Sequence, residues 1–170
     1  MKLKDLFLAE LERESAGTRA VLERVPGGRY DWKPHEKSMS LGRLSNLVAS
    51  MPSWVVMMVE QDELDFNPPG GLTYKQPELR TSRELVEAHA AHVAKAREAL
   101  ANTTDEHLMT PWRFLAAGKV VVEQPRYIMI RDGVFNHLAH HRGQLTVYLR
   151  LNNASVPAIY GPSADEGRFD

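Results

Sequence analysis

Three imidazoles fall within five residues in the run Asn136-His137-Leu138-Ala139-His140-His141-Arg142-Gly143-Gln144-Leu145. A helical residue advances by about 100°, so with His137 at zero His141 lies about 40° round the axis, and His140 about 60° the other way. His137 and His141 therefore share a face with Val134 and Leu145, whereas His140 turns away to the surface or to a supporting position. Two neutral imidazoles at i,i+4 spacing can converge on one cation at about 2.0 to 2.1 Å each. They can also serve as acid and base, because imidazole titrates near neutrality. The simpler alternative is a hydrogen-bonded structural pair. No Ser, Cys or carboxylate stands at a motif-defined spacing to complete a nucleophilic set.

Other polar residues invite structural roles first. His89 and His92 are three apart, and His89 occupies an apolar-stripe position, the place of a core histidine with its hydrogen bonds satisfied. Arg142 and Arg150 are candidates to anchor a tail carboxylate such as Asp165, or an anionic ligand. Met51, Met57 and Met58 with Trp54 suit core filling or an adaptable pocket wall.

The elements that must position these residues read as four helices. Leu3, Leu6, Phe7, Leu11, Thr18, Val21, Leu22 and Val25 recur at helical spacing over residues 2 to 25, with Asp5, Glu10, Glu12, Arg13 and Glu14 on the other side. Pro26-Gly27-Gly28 ends that helix. Ser40 is the candidate cap of a second helix over about 41 to 62, carrying Leu44, Val48, Met51, Val55 and Met58, with Pro52 set to bend it. Asp65 to Thr81, with Pro68-Pro69-Gly70-Gly71 and Pro77, reads as a long irregular connection of the kind that covers a site. Thr81 or Ser82 caps a third helix to about residue 101. Trp112–Leu115 and Val120–Glu123 form a small β-hairpin before a last helix from about Tyr127 to Asn152.

The 170 residues suit a single domain, and the absence of cysteine removes disulfides, thiolate metal sites and cysteine nucleophiles. With 21 Lys and Arg against 22 Asp and Glu, the chain has no global basic field for nucleic acid. Met51 to Val59, the most apolar run, is nine residues long where a bilayer span needs about 20. The charged N-terminal segment lacks the apolar stretch of a signal peptide, so a cytoplasmic, non-membrane protein is expected.

Ser40-Leu41-Gly42-Arg43-Leu44, the run His137 to Leu145 and the ending Val156-Pro157-Ala158-Ile159-Tyr160-Gly161-Pro162-Ser163-Ala164-Asp165-Glu166 resemble the DinB/YfiT-like superfamily over essentially the whole chain. The resemblance implies an all-α, up-down four-helix bundle with a long connection, the hairpin being an insertion. It also implies a homodimer and a zinc or nickel ion held by one histidine of helix 2 and two of helix 4. Relatives include thiol-dependent transferases using low-molecular-weight thiols. Carried over, the helix-4 ligands are His137 and His141, but the helix-2 histidine position holds Leu47. Leucine coordinates nothing, neighbouring Asn46 is a weak ligand turned about 100° away, and His35 of the preceding loop is the remaining substitute.

Two functional expectations follow. One is a thiol-dependent transferase or hydrolase with a degenerate site, metal weakly bound or absent, acting on a small-molecule substrate. The other is a non-catalytic small-molecule binder or stress-associated dimeric bundle that has lost the metal. Val56, Met57 and Phe135, apolar but outside the main stripes, add to the expectation of a dimer.

Overall fold

In the computed structural model, residues 2–71 and 78–167 are described. The first apolar stripe becomes α1 (Leu3–Leu22), burying Phe7, Leu11, Thr18, Val21 and Leu22. Glu14, assigned by periodicity to the solvent side, is buried as well. The α1 N-terminus is capped from far along the chain, since Asp105 accepts from the Leu3 and Lys4 amides at 2.8 and 3.0 Å.

Pro52 does more than bend the second helix. It divides the segment into α2 (Leu41–Ser50) and α3 (Ser53–Glu60), because proline has no N–H to donate and clashes with the preceding turn. Ser40 caps α2 by accepting from the Arg43 amide at 3.2 Å. At Gly42 the Tyr30 ring lies where a Cβ would stand, 2.2 Å from the nearest ring atom, so only glycine admits this entry loop.

After a short strand, β1 (Glu63–Asp65), comes the expected irregular connection; residues 72–77 of it lie outside the described residues. Thr81 and Glu84 form a capping box at the start of α4 (Ser82–Asn102). A single turn, α5 (Asp105–Leu108), precedes the hairpin of β2 (Pro111–Ala116) and β3 (Lys119–Pro125). The hairpin turn is Ala117-Gly118, both at positive φ (51° and 75°), as two-residue hairpin turns require. β1 pairs in parallel with β2, giving a three-stranded sheet in the order β1-β2-β3. A purely helical chain is therefore too simple a description: the molecule is mostly helical with a small sheet.

The last helix is also composite, with α6 (Arg126–Ile130), a π-helical turn (Arg131–Asn136) and α7 (His137–Leu151) in succession. Asp132-Gly133 is a weak helix-forming pair, which lowers the cost of widening the turn there. In this segment both Val134 and Phe135 are buried, with Phe135 stacked on Phe7 at 5.6 Å. Phe135 is thus core, and not part of an exposed apolar face.

α4 packs on α1, α2 and α3, while α7 packs on α1 and α2. One apolar cluster gathers Phe7, Val55, Leu100, Trp112, Ile130 and Phe135; the other gathers Leu22, Leu44, Val48, Leu85, Leu138 and Leu145. Trp54 packs against both. Among the described residues no helix is long and apolar enough to cross a membrane.

Candidate functional site

α7 begins at His137 and brings the two predicted imidazoles together on one half-buried face. His137 Nε2 and His141 Nε2 are 2.9 Å apart, with ring centroids at 4.5 Å. Trp54 of α3 lies against His137 at 5.8 Å between centroids. The break at Pro52 thus re-aims the chain where Trp54 forms one wall of the pair.

Gln144 extends the contacts. Its Oε1 is 2.8 Å from His141 Nδ1 and its Nε2 is 3.0 Å from His140 Nε2. With the Gln144 amide reversed, a consistent assignment for neutral rings has His137 Nδ1–H towards the Gly133 carbonyl, His141 Nε2–H donating to His137 Nε2, the Gln144 amide donating to His141 Nδ1, and His140 Nε2–H donating to the Gln144 oxygen. His140 itself is exposed, as its helical angle predicts. Gln144 stands three and four residues beyond His141 and His140, a spacing that could have assigned it this bridging part from sequence.

Burial, followed by the charge that His141 carries when protonated, holds His137 below the usual imidazole range, against the opposing pull of the Gly133 carbonyl. Its ring is mainly neutral at pH 7, the form that ligates a metal or accepts a proton. Nitrogens each about 2.0 to 2.1 Å from one ion and about 90 to 110° apart stand roughly 2.8 to 3.4 Å from each other. The observed 2.9 Å separation lies just above the lower limit, so the pair fits as half of a metal site.

A third ligand is the difficulty. Among the described residues no group of three or more His, Cys, Asp or Glu side chains is placed to hold an ion. Leu47 is half-buried against the cluster containing Leu138 and Leu145. Asn46 turns elsewhere: its amide donates to the Gly42 and Leu79 carbonyls at 2.9 and 2.8 Å and accepts from the Leu79 amide at 3.0 Å, tying the end of the long connection to α2. His35 sits in an exposed loop with Nδ1 accepting from the Lys37 amide at 3.2 Å.

Arg142, next in sequence to His141, points the other way and is buried. Its guanidinium donates to Glu14 Oε2 at 2.6 Å, to the Glu14 carbonyl at 2.9 Å, to Thr18 Oγ1 at 3.0 Å, and to the Tyr160 hydroxyl. Tyr160 donates in turn to Glu14 Oε2 at 2.5 Å. Of the two arginines expected to anchor a tail carboxylate, Arg150 does so, paired with Asp165 at 2.6 Å, whereas Arg142 binds α1 and the tail's tyrosine; Arg24 pairs with the tail's Glu166. Gly17 permits this closure, since a Cβ there would stand 2.9 Å from Ile159.

His89 is buried as expected, yet not satisfied: neither ring nitrogen has a well-formed hydrogen bond among the described residues. Burial lowers its pKa to about 4, although the carbonyls of Ser15 and Ala49 lie close enough to favour the protonated ring. A separate groove of about 720 Å³ lies between α3 and the end of α4, lined among others by Val56, Val59, Lys95, Glu98 and His107, and none of the α7 histidines contributes to it.

Comparison with known proteins adds three findings. The family model described as the DinB family matches residues 1–168. The uncharacterized protein YrdA of Bacillus subtilis (strain 168) is 26% identical over 165 residues, covering 95% of this chain and 90% of its own. Among solved structures, a DinB-like protein from Bacillus cereus ATCC 10987 superposes with a TM-score of 0.71 at 21% identity, covering 91% of this chain and 95% of that one. A second, the DinB-like YjoA of Bacillus subtilis, gives 0.64 at 20% identity, covering 88% and 94%.

Proposed function

This chain belongs to the DinB family, and from that premise we propose that its working site is the His137–His141 pair, used in a thiol-dependent transfer or a hydrolysis on a small molecule. In this reading α1, α2 with α3, α4, and α6 with α7 are the four members of an up-down bundle, residues 65–81 are its long connection, and the protein works in the cytoplasm. The observation that carries the proposal is the 2.9 Å approach of two Nε2 atoms on a face that solvent reaches. One imidazole of the pair takes the proton of a low-molecular-weight thiol, or of water, and the sulfur or oxygen attacks the electrophile. The same ring then returns the proton to the leaving group. Zinc or nickel at the pair would lower the pKa of a bound thiol or water, and only His137 and His141 are assigned to hold it. With Leu47 at the third position the ion is held weakly.

A second reading, a small-molecule-binding or stress-associated bundle without catalysis, draws on one specific feature: the third ligand position is occupied by Leu47, which packs with apolar neighbours. Calorimetric titration with zinc and nickel tests the site directly. The wild type is expected to lose its ion on dialysis, whereas Leu47→His gains at least about tenfold in affinity and melts higher with metal than without. No gain in the variant removes Leu47 from the site. Turnover of electrophiles with a bacterial thiol, abolished by His141→Ala, supports the enzyme; bound small molecules without turnover favour the second reading.

A further inference from the structure

The groove between α3 and α4 takes no part in the histidine site, and its volume of about 720 Å³ is that of a small-molecule pocket. Its α4 wall is one face of the helix. Lys95, Glu98, Ala99 and Asn102 stand there at i, i+3, i+4 and i+7, so the wall runs about 10 Å along the axis. Val56 and Val59 of α3 supply an apolar surface, and both are half-buried. Val56, apolar although outside the core stripe, faces this groove.

Charge decides what kind of molecule fits. Glu60 ends α3 and Glu98 lies on α4; both are exposed, and neither is ion-paired among the described residues. Both helices end at the same place, since His107, just beyond α4, sets its Nε2 2.8 Å from the Val59 carbonyl in the last turn of α3. Helix C-termini carry partial negative charge, which adds to the two carboxylates. Against these stands Lys95. The chain already seats an ammonium group at the end of α4, where Lys4 Nζ donates to the Ala101 and Thr103 carbonyls at 3.0 and 3.2 Å. Thr103 points to a ligand independently. It lines the groove, is only 7% exposed, and its Oγ1 has no hydrogen-bond partner among the described residues. A buried hydroxyl left unpaired costs free energy, and a ligand N–H would satisfy it.

We propose that this groove binds linear aliphatic diamines and polyamines, their methylenes laid on Val56, Val59 and Ala99 and their ammonium groups at Glu60 and Glu98. Such a molecule alternates apolar segments with cations, as the groove alternates valine with carboxylate. A ligand carboxylate would meet like charge at both acids, and an uncharged ligand forgoes both charge-assisted bonds. The apolar surface between the acids suits an organic cation and not a metal ion, and among the described residues no three metal-ligating side chains gather here.

Calorimetric titration of the intact protein with hexamethylenediamine, hexylamine and hexanol tests this. The diamine is expected to saturate at one molecule per chain and to bind about fivefold tighter than hexylamine, with hexanol weakest, as each ammonium finds a carboxylate. Glu60→Gln and Glu98→Gln each weaken the diamine by about fivefold, whereas Lys95→Gln, which removes the opposing charge, tightens it. All three positions are exposed, so without amine the variants should melt with the wild type. Four results overturn the proposal: no saturable binding at millimolar diamine, equal affinity for diamine and hexylamine, indifference to both glutamate variants, or weaker binding by Lys95→Gln. Loss of binding in His141→Ala overturns it as well, by placing the amine at the histidine pair.

Discussion

His141 and Arg142 are neighbours on α7 and live in opposite physical worlds. The His141 ring is half-exposed, bonded among the described residues only to other side chains of its own helix, and can exchange those partners for a ligand without disturbing the packing. Arg142 is fully committed: one guanidinium joins α1, through Glu14 and Thr18, to Tyr160 of the C-terminal tail. An adaptable site needs a rigid frame, and this helix supplies both from adjacent residues.

The largest consequence of that difference is for Arg142→Ala. Removing one partner of a buried pair leaves Glu14 charged and uncompensated, a loss of about 3 to 5 kcal/mol. For a chain of this size the melting temperature should drop by roughly 10 °C. Replacing Arg142 and Glu14 together by apolar residues should cost less than Arg142→Ala alone, because the desolvation penalty disappears with the pair. Thermal melts of the three proteins measure both effects. A double variant as damaged as the single would mean that the clamp acts through shape and not through charge.

How much of this was written in the sequence depends on the distance over which each feature is specified. The histidine pair was legible because four residues of one helix fix it, and Ser40 and Thr81 were legible as caps for the same local reason. The hairpin announced itself through two short apolar segments, Trp112–Leu115 and Val120–Glu123, flanking Ala116-Ala117-Gly118-Lys119. Glu14 was misassigned to solvent because its partners lie 128 and 146 residues away, beyond any periodicity argument. The parallel pairing of β1 with β2 is equally non-local. The π-helical turn was missed for a different reason: an angle of about 100° per residue presumes a regular helix, and the departure begins upstream of His137. His137 and His141 keep their predicted relation because both lie beyond it, whereas Phe135, inside it, turns inward.

A second prediction concerns His89, which shares the rigid interior with Arg142 but lacks its partners. Its pKa is about 4 in the folded protein, against an ordinary value of 6.5. Above pH 6.5 the ring is neutral in both states and stability does not depend on it. Between pH 6.5 and 4 the unfolded chain binds a proton that the folded chain refuses, so stability falls as pH falls, by about 3 kcal/mol across the window. Denaturant titrations of the wild type and His89→Leu from pH 7 to pH 4 isolate this slope. The variant should lose most of it, while an unchanged slope would place the acid sensitivity elsewhere.

The smallest effect is expected where the comparison began, at His141→Ala. The substitution removes one bond to His137 and one to Gln144, both between side chains that solvent can re-solvate, so stability should change by about 1 kcal/mol or less. The more telling readout is His137. Burial is the first cause of its lowered pKa and remains in the variant, but the second cause, the His141 charge, is gone. His137 should therefore titrate at a higher pH in His141→Ala than in the wild type, while staying below an unburied imidazole. NMR titration of the imidazole carbon-bound protons follows this directly, and it needs neither metal nor substrate. An unmoved His137 would mean that the two rings are electrically independent despite their 2.9 Å contact. Two rings that ignore each other could not pass a proton between them, and the pair would be reduced to two separate surface histidines.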